Sequence, residues 1–324
     1  MPNIPYDNSA LIYLGRWTDY GTSMGSGWQG TQIRFKVSGT LNISVNLDVK
    51  DTTTSDVSAV VLNIDGANAN LQYATTAAEI YTGAKTVSFT LADTNEHTII
   101  MKLLNYPDRQ WTGDGYCRLT SIDIDNGASV IVWDKTSGRR TGVVGDSWTA
   151  TSNDWPFLMS QDKYWLYPIS FGGATASALN SQIDYDNSVT LNTDDPVLDV
   201  IVANSSVNDY NASVSLASFN TSFAALVDKL RVQQPDAKII LLQSPRNVGA
   251  GKNYDQYGPE MSSIAAARSN VEYIPITSTQ WNTYTWSDTA HLDYASRQSL
   301  AAYYEEQIDL LIPFSAKSYG YIMY

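Results

Sequence analysis

The stretch Thr141-Gly142-Val143-Val144-Gly145-Asp146-Ser147-Trp148 decides the fold of the C-terminal half of the chain. It begins with a short apolar run, which is typical of a strand buried on both faces in a parallel sheet. Ser147 follows this predicted strand at its carboxyl end. Because ligands of open α/β sheets bind at the carboxyl ends of the strands, we expect Ser147 to lie in a functional site.

Further apolar runs of strand length alternate with helical patterns toward the C-terminus. They predict strands at 166–171, 197–203, 237–242 and 271–276. Apolar residues spaced three and four apart predict helices within 216–230 and 300–311, and Pro313 ends the second of these. This alternation predicts an α/β domain at 138–324 that contains a doubly wound, mostly parallel five-stranded sheet.

Residues 1–137 show a different pattern, in which polar and apolar residues alternate along short segments. These segments predict strands at 32–37, 41–47, 59–64, 86–91, 98–104, 121–125 and 130–133. Ser38-Gly39-Thr40 lies between two such segments and predicts a hairpin turn, and Asn126-Gly127 predicts a turn. Many short strands separated by turns are typical of a β-sandwich or jelly roll, so we predict an accessory domain of this class at 1–137.

The composition argues against two classes of partner. The 324 residues carry 20 Lys and Arg against 33 Asp and Glu, which gives a formal net charge of −13. Such a chain does not attract phosphate groups, so we expect neither a nucleic-acid partner nor binding to an anionic membrane. Charged residues make up only 16% of the chain, against about 25% in an average soluble protein. The neutral polar surface suits a glycan partner, and it equally suits a β-rich extracellular protein without one.

The cysteine and histidine content bears on disulfides and metal sites, and the N-terminus bears on the location of the protein. Cys117 is the only cysteine and cannot form an intrachain disulfide, so we expect a buried structural thiol. With two His and one Cys far apart in the sequence, we predict neither a metal nor another cofactor. The N-terminus lacks the features of a signal peptide, and no apolar run approaches the length of a membrane span. An extracellular or virion-surface location suits the composition, and the cytoplasm stays open.

Chemistry-bearing residues follow three of the predicted strands and precede the last predicted helix. They lie in Gly145-Asp146-Ser147, Gly172-Gly173, Ser206-Val207-Asn208-Asp209 and Asp288-Thr289-Ala290-His291. Each segment alone is also typical of a turn or a helix cap. Together they fit acyl transfer, in which Ser147 attacks a carbonyl carbon, His291 takes its proton and Asp288 orients the imidazole.

An oxyanion hole would complete this chemistry. The backbone N–H groups of Ser147 and Gly173 and the side-chain amide of Asn208 are the candidate donors. Gly172 is an alternative to Gly173, and the sequence leaves the choice between the two glycines open.

These four segments, in this order, resemble the Gly-Asp-Ser, Gly, Gly-x-Asn-Asp and Asp-x-x-His blocks of the SGNH (GDSL-like) hydrolases. The resemblance implies that Ser147, Asp288 and His291 form a triad, and that Ser147, Gly173 and Asn208 form the oxyanion hole. It covers residues 138–313. Two departures are Ser206, where the family has glycine, and the stretch Leu292-Asp293-Tyr294-Ala295-Ser296 after His291, which differs from the family's usual ending.

The two-domain layout resembles the family 2 carbohydrate esterases, in which a jelly roll precedes the catalytic domain and the substrates are acetylated sugars. The N-terminal part of this resemblance rests on the strand pattern and on Tyr13-Leu14-Gly15-Arg16-Trp17. It implies a carboxylic ester hydrolase of SGNH type that removes O-acetyl groups from a polysaccharide. With the neutral polar composition, it also suggests a phage tail-spike module that acts on a host capsule or O-antigen.

Aromatic residues near the site in sequence are candidate platforms for sugar rings, and the alternative for each is ordinary packing. They are Trp148, Trp155, Trp281, Tyr284 and Trp286. Arg246 is a candidate to hold a charged or hydroxylated substrate group, and an ordinary loop arginine is the favoured alternative.

Two other classes of function stay open. One is a non-catalytic glycan-binding protein on a hydrolase fold, against which the complete set of site residues argues. The other is a virion assembly module in which the β domain forms a homo-oligomer. The tail Tyr319-Gly320-Tyr321-Ile322-Met323-Tyr324 is compatible with an end that packs on a partner.

Overall fold

The computed structural model describes residues 2–15, 17–26, 31–51, 57–66, 70–75, 81–106, 116–133, 138–150, 154–160, 163–170, 172–182 and 197–313. The described residues fall into two compact units, one at 2–133 and the other at 138–313, on either side of the predicted limit at 137. The exact domain limits stay a prediction. The predicted strand end at Phe171 and the tail at 319–324 lie outside the described residues.

The described part of the N-terminal unit consists of β-strands. They are β1 (Asn3–Pro5), β2 (Ile12–Leu14), β3 (Thr18–Asp19), β4 (Met24–Gly25), β5 (Gln32–Ser38), β6 (Asn42–Lys50), β7 (Val57–Ile64), β8 (Asn70–Tyr73), β9 (Thr82–Thr90), β10 (His97–Tyr106), β11 (Tyr116–Ile124) and β12 (Ser129–Ile131). One sheet has the order β3-β4-β11-β6-β9 with β1 paired to β11, and the other has the order β12-β5-β10-β7-β8 with β2 paired to β5.

Both sheets are antiparallel and enclose one core. The alternation in β6 places Ile43, Val45 and Leu47 on the inner face, where each is at most 1% exposed. They belong to the same apolar cluster as Phe35 and Met101 of the opposite sheet. The antiparallel strands that the period-2 pattern predicts are therefore confirmed, whereas the jelly-roll topology stays a prediction. The sequence analysis missed β1–β4 and β8, because strands of two to four residues are too short to show alternation.

The hairpin predicted at Ser38-Gly39-Thr40 is wrong, because this turn joins β5 to β6 and these two strands belong to different sheets. The turn predicted at Asn126-Gly127 forms, and it also passes from one sheet to the other, from β11 to β12. Alternation marks each strand but not the sheet to which the strand belongs. Gly39 and Gly127 adopt positive φ angles of 79° and 84°, which glycine tolerates without a Cβ clash.

Cys117 lies in β11 and is 3% exposed. Burial raises the pKa of its thiol to about 12, with the charge of Asp51 adding to the effect. Cys117 therefore packs as an apolar residue in the sandwich core.

The C-terminal unit is built on a parallel sheet. Its strands are β13 (Arg139–Gly145), β14 (Tyr164–Ser170), β15 (Val200–Asn204), β16 (Lys238–Leu242) and β17 (Val271–Ile274). The order is β14-β13-β15-β16-β17, and every pair is parallel. The predicted five-stranded parallel sheet is confirmed. The parallel pairing brings all five carboxyl ends to one edge of the sheet, which is where the predicted site residues follow.

Helices connect these strands. They are α1 (Ser147–Ala150), α2 (Trp155–Leu158), α3 (Ala176–Gln182), α4 (Val207–Asn211), α5 (Leu216–Gln233), α6 (Gly258–Ala266), α7 (Ser278–Trp281) and α8 (Tyr294–Leu311). The predicted apolar stripe of α5 faces the core through Phe219, Phe223, Leu226, Val227 and Leu230. The other long helix, α8, ends at Leu311, just before Pro313. The short helices were missed, because four to nine residues give too few turns for a periodic pattern.

Candidate active site

Three predicted residues from two distant segments meet at the carboxyl edge of the parallel sheet. Ser147 begins α1 directly after β13, and its Oγ lies 3.0 Å from Nε2 of His291. Nδ1 of His291 lies 3.0 Å from Oδ2 of Asp288 and 3.2 Å from Oδ1. A proton on Nδ1 that faces Asp288 leaves Nε2 free to accept the Ser147 proton. This order of atoms can activate a serine hydroxyl as a nucleophile.

A close approach of backbones shapes the turn that carries Ser147. A Cβ added to Gly145 would lie 2.5 Å from the carbonyl oxygen of Asn204 on β15 and 2.4 Å from Oγ1 of Thr149. Gly145 is therefore needed for β13 to pass directly into α1 beside β15. The turn is also fixed by Asp146, whose Oδ1 accepts the N–H of Trp148 at 3.0 Å. The strand and helix together hold Ser147 on a rigid element.

The loop from Asp288 to His291 is folded around the Asp288 carboxylate. Oδ1 of Asp288 accepts the backbone N–H groups of Ala290 and His291, each at 2.7 Å. Partial burial opposes ionisation of this carboxyl, but these hydrogen bonds and the His291 ring hold its pKa below the usual range. Asp288 is thus a carboxylate at neutral pH. Its side chain is 55% exposed and that of His291 is 33% exposed, so solvent reaches the pair.

Asn208 provides a buried donor with no partner. It lies in α4 just after β15, and its Nδ2 has no hydrogen-bond partner among the described residues although it is buried. An unpaired buried polar group costs about 1–3 kcal/mol, so this amide is available to a ligand. Ser206, which stands where the resembled family has glycine, has a φ of 178°. This is extended backbone that any residue adopts, so serine is tolerated there.

The two glycines of the oxyanion prediction follow β14. Gly173 has a φ of +79°, and a Cβ added to either Gly172 or Gly173 would meet no atom within 4 Å. Both glycines are exposed. The open space leaves room for a substrate beside either one, so the choice between the two stays a prediction.

Two buried carboxyls lie within the segments that carry Ser147 and Asn208. Asp209 accepts the N–H of Ala176 and the hydroxyl of Ser205, both at 3.0 Å, and so ties α4 to the start of α3. Burial raises the pKa of Asp209. Asp146 is completely buried, and its Oδ2 has no partner among the described residues. Burial raises the pKa of Asp146 to about 7, and the charges of Asp209 and Asp154 act in the same direction. Sequence reasoning placed both carboxyls in the motifs but gave them no role.

A pocket opens on the Asp288 side of the site. It has a volume of about 610 Å³. The predicted platform residues Trp281, Tyr284 and Trp286 line it, and it reaches Asp288 and Thr289. The sequence analysis did not identify Asn247 and Asn282, which also line this pocket. Because neither asparagine belongs to a motif, only the folded structure reveals them.

Three other candidate substrate contacts, Trp148, Trp155 and Arg246, interact with groups of the protein itself. Trp148 is 5% exposed, and its indole N–H donates to the carbonyl of Ala290 at 2.9 Å, so its ring packs under the loop. Trp155 is 1% exposed and packs edge-on against Tyr304. Neither ring offers an open face to a sugar. The third, Arg246, forms a bidentate ion pair with Asp255, with both N···O distances at 2.9 Å.

The structure also bears on the predictions about metals and membranes. Among the described residues, no group of three or more His, Cys, Asp and Glu side chains is arranged to hold a metal ion. No helix in the described ranges is both long enough and apolar enough to cross a membrane.

No protein-family model matches the chain, and no curated protein sequence matches it. Solved structures do match nearly its whole length. A family two carbohydrate esterase from Clostridium thermocellum in complex with cellohexaose is 15% identical, with a TM-score of 0.69, over 93% of this chain and 99% of that one. The acetyl xylan esterase Est2A from Butyrivibrio proteoclasticus is 13% identical, with a TM-score of 0.69, over 96% and 99%.

A GDSL-like lipase from Bacteroides ovatus is also similar, at 14% identity and a TM-score of 0.61, over 98% of this chain and 99% of that one. The structural neighbours of the chain are therefore family two carbohydrate esterases and GDSL-like lipases. At these identities the likeness shows the fold alone, and that fold is SGNH-like.

Proposed function

We propose that the protein is a serine esterase that removes O-acetyl groups from a carbohydrate. The observation that carries the proposal is the chain of contacts from Ser147 Oγ to His291 Nε2 at 3.0 Å, and from His291 Nδ1 to Asp288 at 3.0 Å. This arrangement lies at the sheet edge where α/β folds bind ligands. The SGNH-like fold, which solved esterases share, supports the same chemistry.

The reaction follows from the roles of these atoms. As Ser147 Oγ attacks the ester carbonyl carbon, its proton moves to Nε2 of His291. The negative charge that develops on the carbonyl oxygen is stabilised by the Asn208 amide and the backbone N–H groups of Ser147 and Gly173. His291 then returns the proton to the leaving alcohol, and an acetyl-serine remains. A water molecule, deprotonated by His291, attacks this ester, and the products are acetate and free Ser147.

The placement of the pocket favours a bulky, hydroxyl-rich alcohol. Because His291 delivers a proton to the leaving alcohol, that part of the substrate must lie on the His291 side of Ser147. The pocket lies on this side, at Asp288 and Thr289. Its aromatic walls, Trp281 and Trp286, suit the C–H faces of a sugar ring, and the amide of Asn282 suits its hydroxyl groups. We therefore assign the pocket to the sugar and the opposite side to the acetyl group.

The composition of the chain supports an extension of the proposal to the source of the carbohydrate. Charged residues make up 16% of the chain and the net charge is −13, so neutral polar groups supply much of the surface. We extend the proposal to a virion-surface module that acts on an O-acetylated capsule or O-antigen. Release of acetate from such purified polysaccharides, compared with release from acetylated xylan, tests this extension.

The test of the esterase itself is hydrolysis of p-nitrophenyl acetate by the wild type, Ser147→Ala and Ser299→Ala. Ser299 is an exposed serine on α8 whose hydroxyl donates to the carbonyl of Ala295, so it controls for loss of a hydroxyl alone. We expect Ser299→Ala to match the wild type and Ser147→Ala to lose at least about 10³-fold in kcat. Equal turnover in all three proteins would exclude Ser147 as the nucleophile. Folded protein that binds cello-oligosaccharides without any turnover would instead support a glycan-binding module.

A further inference from the structure

The carbonyl of Thr289 lies in the middle of the loop between Asp288 and His291, and two side chains hold it. The hydroxyl of Tyr254 donates to this oxygen at 2.7 Å, and Nδ2 of Asn247 donates at 3.1 Å. A carbonyl oxygen has two lone pairs, so both are used here. Because Thr289 follows Asp288 directly and precedes His291 by two residues, a shift of this carbonyl moves the acid and the base together.

Tyr254 also contacts residues beside the other parts of the site. It is 1% exposed and begins the 3-10 turn Tyr254–Tyr257. Its ring lies 5.3 Å from that of Tyr210, which is in α4 with Asn208, and 6.0 Å from that of Trp286. Trp286 in turn lies 5.6 Å from Trp148, the residue after Ser147. These four rings form a packed group, the aromatic cluster, that joins the segments carrying the nucleophile, the oxyanion amide and the acid–base pair.

We propose that Tyr254 is a positioning residue that fixes the His291 imidazole between Ser147 and Asp288 by holding the carbonyl of Thr289. This inference rests on the proposed esterase function. It follows from two contacts, because the hydroxyl of Tyr254 binds the loop while its ring is locked in the aromatic cluster. Tyr254 thereby connects the aromatic cluster to the loop that carries the imidazole.

The hydroxyl of Tyr254 is available as a donor throughout the neutral range. Burial raises its pKa to about 12, and the charge of Asp288 adds to this effect. Tyr254 is not among the described residues that line the pocket. Loss of its hydroxyl should therefore change how fast bound substrate reacts and leave substrate binding unaffected.

Tyr257 provides a matched control from the same 3-10 turn. Its hydroxyl also donates to a backbone carbonyl at 2.7 Å, that of Val214, and the residue is fully buried. Its ring packs on Phe219 of α5, outside the aromatic cluster. The substitutions Tyr254→Phe and Tyr257→Phe thus remove the same kind of hydrogen bond from the same turn, and only the first bond reaches the loop of Asp288 and His291.

The experiment compares kcat and KM for p-nitrophenyl acetate in the wild type, Tyr254→Phe, Tyr257→Phe and Ser147→Ala. We expect both Phe variants to lower the melting temperature by a similar amount, on the order of 2–4 °C. Tyr254→Phe should also lower kcat about tenfold, the effect of one hydrogen bond, with KM within about twofold of the wild type. Tyr257→Phe should leave kcat and KM unchanged.

A second readout follows the nucleophile alone. A fluorophosphonate probe labels an activated serine covalently, so its labelling rate on Ser147 depends on proton transfer to His291. We expect this rate to fall about tenfold in Tyr254→Phe and to stay unchanged in Tyr257→Phe. Equal effects of the two Phe variants, or a rise in KM at constant kcat in Tyr254→Phe, would overturn the role of Tyr254. A wild type without Ser147-dependent turnover would instead overturn the esterase proposal, and the inference with it.

Discussion

Ser147 Oγ lies 3.0 Å from Nε2 of His291 although 144 positions separate the two residues in the sequence. The fold produces this contact because β13 delivers Ser147 to the carboxyl edge of the sheet, and the loop before α8 returns His291 to the same edge. The contact joins the proposed nucleophile to the proposed base, whereas the Asp288 carboxylate on the far side of the ring is 55% exposed. We therefore expect His291 and Asp288 to contribute unequally to the proposed reaction.

Substitution of the base should cost more than substitution of the acid. His291→Ala removes the proton acceptor, and we expect kcat for p-nitrophenyl acetate to fall at least about 10³-fold. Asp288→Asn keeps one oxygen for the backbone N–H groups of the loop but places an amide NH2 where an oxygen accepts the Nδ1 proton of His291. It therefore loses one acceptor and the charge, and solvent already screens that charge at this exposure. We expect a smaller loss, about 10- to 100-fold. Steady-state kinetics of both variants on one ester checks the order, and a larger loss in Asp288→Asn would contradict it.

The buried amide of Asn208 should lower the stability of the folded protein and increase its activity. Its buried Nδ2 has no partner among the described residues, so the folded state bears the cost of burying it. Asn208→Ala should lower kcat about 10²- to 10³-fold by removing an oxyanion donor, while the melting temperature does not fall. Asn220 on α5, whose amide donates to Glu260, gives the control Asn220→Ala, which should leave kcat unchanged. If Asn208→Ala keeps full activity, Asn208 is not an oxyanion donor.

Periodic segments of the fold were predictable from sequence, and short or tertiary features were not. The continuous apolar run of β13 and the repeated apolar stripe of α5 are both long enough to be recognised in the sequence. Helices α1 and α7 have four residues each, which is little more than one turn. The antiparallel strands of the N-terminal unit were predictable because one face meets a core and the other does not, and this difference produces alternation.

The candidate site also has residues that were predictable from the sequence and residues that were not. Ser147 and Asn208 stand in motifs that follow strands, and Asp288 and His291 stand in the motif before the last helix, so their meeting at one sheet edge could be anticipated. Tyr254 reaches Thr289 across 35 positions with no motif to mark either residue, so only the folded chain reveals the contact. Arg246 stood between a substrate ligand and the favoured ordinary loop arginine, because Asp255, nine positions further on, carries no sequence signal as its partner.

Substitution of Trp281 should weaken the binding of sugar substrates and leave the hydrolysis of a small ester unchanged. Trp281 lines the pocket, and the guanidinium of Arg246 lies 4.9 Å from its ring centroid, which supports one side of the indole. We expect Trp281→Ala to raise KM for an acetylated xylo-oligosaccharide about tenfold, the value of one aromatic stacking contact. KM and kcat for p-nitrophenyl acetate should change little. Tyr294→Ala, at an exposed ring on α8 that does not line this pocket, is the control. Unchanged oligosaccharide kinetics in Trp281→Ala would place the sugar elsewhere.

Asp146 should make the folded state less stable as the pH rises from about 4 to about 7. Burial raises the pKa of this carboxyl from 3.8 to about 7, so in this window the folded protein binds a proton that the unfolded chain has lost. Stability therefore falls with rising pH, and above pH 7 the buried charge has no cationic partner among the described residues. Asp146→Asn is neutral at every pH. The difference between its melting temperature and that of the wild type should therefore increase, in favour of the variant, from pH 5 to pH 8.

The control for this pH dependence is Asp228→Asn. The guanidinium of Arg268 lowers the pKa of Asp228, so its contribution to stability is lost only as the pH falls below the usual carboxyl range. The difference in melting temperature between Asp228→Asn and the wild type should stay constant from pH 5 to pH 8, whereas that of Asp146→Asn grows. Parallel curves for wild type and Asp146→Asn over this range would mean that Asp146 is ionised in the folded protein. The hydrogen bond from the Trp148 N–H would then suffice to hold a buried charge directly beside the nucleophile.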